Sequence, residues 1–237
     1  MTFAVIAAGE GSRLASEGVS APKPLVRVDG ELMIDRLVRV FCDNGATRIV
    51  AACNQQMADV QKHFECIGGR CSPVHFDFIV RSTPSSMHSL WELSPLLGDE
   101  PFVLTTVDTV FREGEFADYV CRFRQLIASG EADGLMGVTD YIDDEAPLYV
   151  DTDGQQSIVG FLDSCDSSRY VSAGIYGLTP KSLVTLRKCI QRGESRMRNF
   201  QRALVSDGLR LRAFPFSKVL DIDHASDILK AEEFLRE

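Results

Sequence analysis

Two patterns of apolar positions alternate along the chain. Short, mostly apolar runs stand at Phe3–Ala7, Arg48–Cys53, Phe76–Val80 and Pro101–Val107. Between them, apolar residues return every three or four positions. The runs have the length of buried strands, and the intervening period is that of an amphipathic helix. In Leu32–Asn44, for example, Leu32, Ile34, Leu37, Val38, Phe41 and Cys42 share one face, and Gly45 follows as a helix stop. Met57–Phe64, Ser86–Leu97 and Glu115–Ala128 are expected to be helices on the same grounds. Strands alternating with such helices imply right-handed βαβ crossovers and a largely parallel sheet.

The rhythm changes in the second half. Asp133–Tyr141, Pro147–Asp151, Ser157–Leu162 and Arg169–Leu178 read as strands with little helix between them. Helices at Pro180–Arg192 and Arg198–Asp207, a strand at Leu209–Phe216 and a helix at Ala225–Leu235 follow. No repeat, low-complexity segment or linker interrupts the pattern. The expectation is one α/β domain over residues 1–237, with a small β-rich, lid-like insertion at about 140–178.

Composition narrows the function classes. With 237 residues, 45% hydrophobic, the chain can bury a substantial core. A net charge of −9 argues against general nucleic-acid binding, which needs a basic surface. It leaves room for a small anion held by a local group of cations. No apolar run reaches the roughly 18 residues of a membrane span, and Met1–Ala8 lacks a basic leader, so a cytoplasmic protein without membrane contact is expected. The cysteines (Cys42, Cys53, Cys66, Cys71, Cys121, Cys165 and Cys189) are odd in number and scattered, which suits free thiols in a reducing compartment. His63, His75, His88 and His224 have no metal-binding spacing, although His224 abuts Asp223.

The chemistry concentrates in AVIAAGEGSRLASEGVSAPKPLV, residues 4–26. Gly9 and Gly11 fall on the first βα turn, where open α/β sheets place their ligands. Glycines there let backbone N–H groups approach phosphate oxygens. A dinucleotide fingerprint would carry a third glycine where Leu14 stands, and a Walker loop would carry Gly-Lys-Ser/Thr; both are absent. What remains is G-x-G-x-R followed by Pro-Lys-Pro. Arg13 offers a planar fork and Lys23 a point charge, a natural pair for a polyphosphate. The flanking Pro22 and Pro24 deny Lys23 a regular helix and limit its loop. The bland alternative is a tight turn with two solvated cations.

AAGEGSRL and PKPL resemble the signature of the sugar-phosphate nucleotidyltransferases, the enzymes that make NDP-sugars and related activated small molecules. The resemblance implies a Rossmann-like three-layer α/β/α fold of the GT-A-like nucleotidyltransferase type, with a mostly parallel mixed sheet. It assigns Ala7, Ala8, Gly9, Gly11 and Ser12 to the nucleotide, and Arg13 and Lys23 to its triphosphate as catalytic cations. Catalysis by such an enzyme calls for a divalent metal, Mg2+, because a triphosphate carries about four negative charges.

Asp108 ends the strand FVLTTVD at the ligand-bearing edge and matches the family's first metal ligand. The second lies in KVLDIDHASD, where Asp221 and Asp223 alternate and share a face. Asp221 fits the spacing of hexose-1-phosphate enzymes and Asp223 that of CMP-sugar synthetases; helix capping is the alternative for both. Asp227 reads as a first-turn charge favourable to the helix dipole. In VRSTPSSMHSLWEL, Thr83, Ser85 and Ser86 occupy the turn that reads the base in the family, or else cap the helix. SSMHSLWEL also resembles a motif of phosphocholine cytidylyltransferases.

For the acceptor, Gly174 and Tyr176 in YVSAGIYGL resemble the strand lining the sugar pocket; a core strand with a glycine bulge is the alternative. The family's Glu-Lys-Pro, whose lysine holds the sugar phosphate, is replaced by GFLDSCD at 160–166. Lys218 is one candidate for the missing cation, and Arg196, Arg198 and Arg202 are others; a merely solvated basic helix face is the alternative for the arginines. YIDDEAP, 141–147, reads as a solvated acidic loop. The expected partners are an NTP and a small phosphorylated acceptor, with a sugar 1-phosphate first and phosphocholine as the alternative. A homo-oligomer is left open. The rival classes are a GT-A-type glycosyltransferase, against which the triphosphate-type loop argues, and a nucleotide-binding module without catalysis.

Overall fold

A computed structural model describes residues 1–70, 73–143, 146–164 and 168–236. Cys71, Cys165, part of YIDDEAP and part of GFLDSCD lie outside the described residues. Of the described cysteines, Cys53, Cys66, Cys121 and Cys189 are free thiols. The first half runs β1 (Thr2–Ala7), α1 (Ser12–Ser16), a 3-10 turn at Lys23–Leu25, β2 (Arg27–Val28), β3 (Glu31–Leu32), α2 (Met33–Asp43), β4 (Arg48–Cys53), α3 (Ala58–Arg70), β5 (His75–Val80), α4 (Ser86–Leu97) and β6 (Phe102–Thr106). Then come β7 (Thr109–Val110), α5 (Glu113–Ala128), β8 (Gly134–Thr139), β9 (Tyr149–Thr152), β10 (Ile158–Leu162) and β11 (Tyr170–Leu178). The chain closes with α6 (Lys181–Gln191), α7 (Met197–Ser206), β12 (Leu211–Phe216), β13 (Leu220–Asp221) and α8 (Ala225–Arg236).

β1 lies between β4 and β6, parallel to both, and β5 extends the parallel set. All six residues of β1 are buried because both faces are covered. Phe3, Val5 and Ala7 enter a core with Phe41 of α2 and Phe116 of α5, while Ala4 and Ile6 enter a second core with Leu90 of α4 and Leu204 of α7. This is the expected three-layer α/β/α arrangement. Ring stacking tightens the first core, with Phe3 over Phe41 at 4.8 Å and Phe111 over Phe116 at 4.6 Å.

β11 makes the sheet mixed. It runs antiparallel to β6 and β8, while β12 pairs parallel to β8. The first residues of β11 also pair with β9, which pairs with β10, and this is the expected β-rich part. The chain moves outward from β1 to β4 and β5 and then crosses back to β6, so the strand order reverses beside β1. That reversal opens a crevice at the carboxyl ends of β1 and β6. The loop after β1 and the loop carrying Asp108 both lie there.

Candidate active site

The loop Ala8–Gly11 leaves β1 and turns into α1 through Gly11, whose φ of +63° lies in the left-handed region. A Cβ at Gly11 would stand 3.0 Å from Lys23 Cγ, so this glycine also makes room for the lysine stem. A Cβ at Gly9 would meet nothing within 4 Å, so the loop's outer side is open. Ala7 is buried in the core, whereas Gly9 and Ser12 face solvent.

Lys23 stands on the 3-10 turn with Pro24 at its second position, and the residue is only 8% exposed. The bland reading of a solvated cation therefore fails for Lys23. Its Nζ donates to Asp108 Oδ2 at 2.7 Å and to Asp223 Oδ1 at 2.5 Å. Burial works to lower the Lys23 pKa, but the two carboxylates outweigh it and hold the ammonium charged. Arg13 Nη1 reaches the other oxygen of Asp223 at 3.1 Å and is otherwise well exposed.

The aspartates meet through a two-residue ladder. β13 pairs antiparallel with β7 and sets Asp221 opposite Thr109, one residue from Asp108. The Ile222 N–H donates to the Asp108 carbonyl at 3.0 Å, and Asp223 follows at the strand end. The capping alternative for Asp221 and Asp223 does not hold, because other residues cap α8. Asp227 Oδ2 accepts the His224 N–H at 2.8 Å and the Asp223 N–H at 3.2 Å, and Glu17 Oε2 accepts the Ala225 N–H at 2.7 Å.

Three carboxylates and two cations leave this cluster with one surplus negative charge. Part of the Asp221 side chain opens onto a cavity, yet crowding by protein atoms, together with the charges of Asp108 and Asp223, pushes its pKa up to about 7. Burial also works against the charge of Asp223, but the Lys23 hydrogen bond prevails and holds that carboxyl below its ordinary value. Among the described residues no three acidic, histidine or cysteine side chains converge on one point as a ready metal site. Asp108 and Asp223 converge on the Lys23 ammonium instead.

The turn after β5 is already knitted together. Thr83 Oγ1 bonds Ser89 Oγ at 2.6 Å, and Ser85 Oγ bonds His88 Nδ1 at 2.9 Å. Ser85 occupies the N-cap position of α4 without a side-chain cap bond, and Ser86 opens the helix. Sequence reasoning overlooked Asn54, which is 5% exposed at the end of β4. Its Oδ1 accepts Ser82 Oγ at 2.7 Å and the Gln56 N–H at 3.0 Å, tying this turn to the sheet edge. A polar residue directly after an apolar strand was the available signal. Glu17 was overlooked as well, and no spacing links it to α8.

Gly174 is a bulge within β11, at φ +70° in a register shift between Ser172 and Tyr176. It faces the Thr106 and Thr109 hydroxyls, which bond each other at 2.7 Å beside Asp108. Tyr176 is buried, and its hydroxyl accepts from Gln201 Nε2 at 3.3 Å. Burial raises its pKa, and the charges of Asp221 and Asp108 add to the rise. Lys218 is not brought to the cluster: its ammonium sits 4.6 Å from the centre of the Tyr141 ring and 5.2 Å from that of Phe234. A cavity of about 360 Å³ opens beside the aspartates, lined by Arg13, Ser172, Asp221, Asp223 and Lys230 among others. No described helix is long and apolar enough to cross a membrane.

Known structures share this architecture. The inositol-1-phosphate CTP transferase from T. maritima superposes with a TM-score of 0.78 at 20% identity, covering 100% of this chain and 96% of that one. A Bacillus anthracis structure solved with sucrose, assigned as a glucose-1-phosphate thymidylyltransferase, gives 0.84 at 18%, covering 100% and 96%. A UDP-glucose pyrophosphorylase complexed with UDP-glucose gives 0.80 at 15%, covering 98% and 97%. At these identities the likeness establishes the fold. The profile of the nucleotidyl transferase family, by contrast, aligns with residues 4–237, nearly the whole chain, and the chain therefore belongs to that enzyme family.

Proposed function

We propose that the protein transfers a nucleoside monophosphate from an NTP to a small phosphorylated acceptor, with a sugar 1-phosphate as the first candidate, giving an NDP-sugar and pyrophosphate. The observation that carries this reading is Lys23 held between Asp108 and Asp223 directly above the glycine turn. A buried cation beside exposed backbone amides suits a polyphosphate. The neighbouring cavity, lined by Arg13, Asp221 and Asp223, gives an acceptor a place beside the cluster.

In this reading the Gly9–Gly11 amides cradle the triphosphate, and Arg13 and Lys23 neutralise it. The base lies against the Thr83–Ser86 turn, and the acceptor lies in the cavity that Ser172, Ala173, Arg13 and Asp221 line, one residue from Gly174. An acceptor phosphate oxygen attacks the α-phosphorus, a new P–O bond forms, and the bond to the β-phosphate breaks in line as pyrophosphate leaves. The nucleophile is already an anion, so no general base is needed. Alignment and charge neutralisation supply most of the catalysis. Lys23 faces the charge on the attacked phosphorus, and Arg13 faces the departing pyrophosphate.

The donor set suits magnesium. Carboxylate oxygens are hard ligands, and this ion commonly takes only one or two of them besides phosphate oxygens and water. Burial first, and then the charges of Asp108 and Asp223, raise the Asp221 pKa, and a further cation would offset the charge part of that rise. Asp108 with Asp221 or Asp223 would hold the ion, which would neutralise phosphate charge and polarise the attacked phosphoryl group. The test is pyrophosphate release from each of the four NTPs with glucose 1-phosphate, inositol 1-phosphate and phosphocholine. Release with one NTP–acceptor pair is expected. A glycosyltransferase would release none, and neither would a module that only binds nucleotide.

A further inference from the structure

A second cavity, of about 960 Å³, lies across Pro147 from the one beside the aspartates, and Pro147 lines both. Its walls include Tyr149, Asp163, Arg196, Arg198 and Arg202. Two of the arginines are each tied to a carboxylate and a backbone carbonyl. Arg198 donates Nη1 to Asp163 Oδ1 at 2.7 Å and Nη2 to the Ala146 carbonyl at 2.9 Å. Arg202 approaches the same Asp163 oxygen at 2.8 Å and donates Nε to the Phe161 carbonyl at 3.0 Å. Two guanidinium groups thus share one carboxylate, and half their charge is uncompensated.

Arg196 adds a third positive charge, and its side chain has no hydrogen bond or ion pair among the described residues. Its backbone adopts φ +76°, unusual for a residue with a side chain, and is pinned by Asn199, whose N–H donates to the Arg196 carbonyl at 3.2 Å and whose Nδ2 donates to the Ser195 carbonyl at 2.6 Å. Glu194, the other acid on the described wall, is paired with Arg192 at 2.7 Å. The described lining is therefore net positive within a chain of net charge −9. It also adjoins the site. Tyr149 is in register with Val171, which lines the other cavity, and Gln201 of α7 bonds Ser172 and Tyr176. The Arg196 N–H reaches Ser85 Oγ at 3.4 Å on the turn after β5.

We propose that this cavity is an anion subsite for the acceptor. It takes a second phosphate or carboxylate group, remote from the phosphate that attacks the nucleotide, so the substrate class is acceptors anionic at both ends. The proposal rests on the transfer reading of the neighbouring cavity. Guanidinium forks held in place at fixed separation favour planar or tetrahedral oxyanions over a neutral sugar edge.

Inorganic phosphate binding to the nucleotide-free protein tests the subsite directly. One equivalent should bind, survive Lys23→Ala, and weaken at least tenfold in Arg196→Gln. That variant touches a side chain without partners among the described residues and should leave the melting temperature unchanged. Arg202→Gln is the second variant, with its fold checked by circular dichroism. Phosphate binding unchanged in both arginine variants, or absent from the parent protein, overturns the subsite. Acceptor kinetics then identify the group. Glucose 1,6-bisphosphate or glucuronic acid 1-phosphate should show a KM at least tenfold below that of glucose 1-phosphate, and Arg196→Gln should erase the difference. Preference for the first assigns a phosphate and for the second a carboxylate; equal KM values for all three overturn the acceptor role. No pyrophosphate from any acceptor, with phosphate binding intact, sinks the transfer reading and leaves the anion site standing.

Discussion

Lys23 is charged and almost fully buried, a state tolerated only because two carboxylates meet its ammonium. Its removal should therefore have two effects that can be separated. Lys23→Ala should lower kcat by about a hundredfold or more, the scale of one lost electrostatic contact in a transition state, as measured by pyrophosphate release. It should also leave Asp108 and Asp223 with only the exposed Arg13 to balance their charge, so magnesium should bind the free variant more tightly than the parent in a calorimetric titration. Gly11 tests the same lysine from below. In Gly11→Ala the positive φ costs about 1 kcal/mol, and the new methyl presses on Lys23 Cγ, whose amine is pinned at the other end. A melting temperature roughly 2–4 °C lower, with a raised KM for NTP, is the expected result; an unchanged KM would mean that the loop does not touch the nucleotide. At this scale much was legible beforehand. Gly11, Arg13 and Lys23 stand close together in the sequence, and the structure brings Lys23 onto Gly11 and, with Asp108, into one cluster; their part in holding phosphate belongs to the proposed function. The burial of Lys23 was not legible, since both of its partners are distant along the chain. Nor was the use of Lys218, whose ring partners come from separate segments.

Among the elements, those with a clear period appear within a few residues of expectation. β4 and α4 match residue for residue, and α3 runs on to Arg70 because Ile67 continues its buried face. Elements that exist only through tertiary pairing left no trace in the pattern. β7 and β13 are two residues each, and neither has a period to read, yet their pairing brings Asp221 beside Asp108. The choice between Asp221 and Asp223 could not be made from spacing for the same reason: both reach the cluster, from opposite sides of Ile222. Another junction of elements is held by one buried acid. Asp133 accepts the Arg210 N–H at 3.0 Å, Arg210 Nε at 3.1 Å and Lys181 Nζ at 2.8 Å, tying the starts of β8, β12 and α6. Burial opposes its charge, but these donors prevail and hold its carboxyl well below the ordinary value of 3.8. A group depressed in the folded state stabilises above its unfolded pKa and loses that contribution as pH falls through the folded one. Asp133→Asn should thus cost about 1–3 kcal/mol at pH 7, and the gap in melting temperature from the parent should narrow below pH 4. A gap that stays constant with pH would assign the loss to packing.

Across the whole molecule, the site depends on the two ends of the chain being held together. The first turn and the start of α8 are joined by Glu17, whose carboxylate takes the Ala225 N–H at 2.7 Å and His224 Nδ1 at 2.6 Å. Lys23 and Arg13 from the first tenth of the sequence meet Asp223 near its end. A ligand that bridges these segments binds the folded chain and has no counterpart in the unfolded one, so its binding energy adds to global stability. At a hundredfold excess over Kd the gain is about 2.7 kcal/mol, or roughly 5–10 °C in melting temperature for a chain of this size. Thermal unfolding with each of the four NTPs plus magnesium chloride should therefore single out the nucleotide the protein uses, before any acceptor is known. Lys23→Ala should lose most of that shift, whereas Arg196→Gln should keep it if, as proposed, the arginine cavity takes the acceptor and not the nucleotide. If no NTP moves the transition in the parent protein, the loop and the aspartates do not form one triphosphate site, however well their positions match the family.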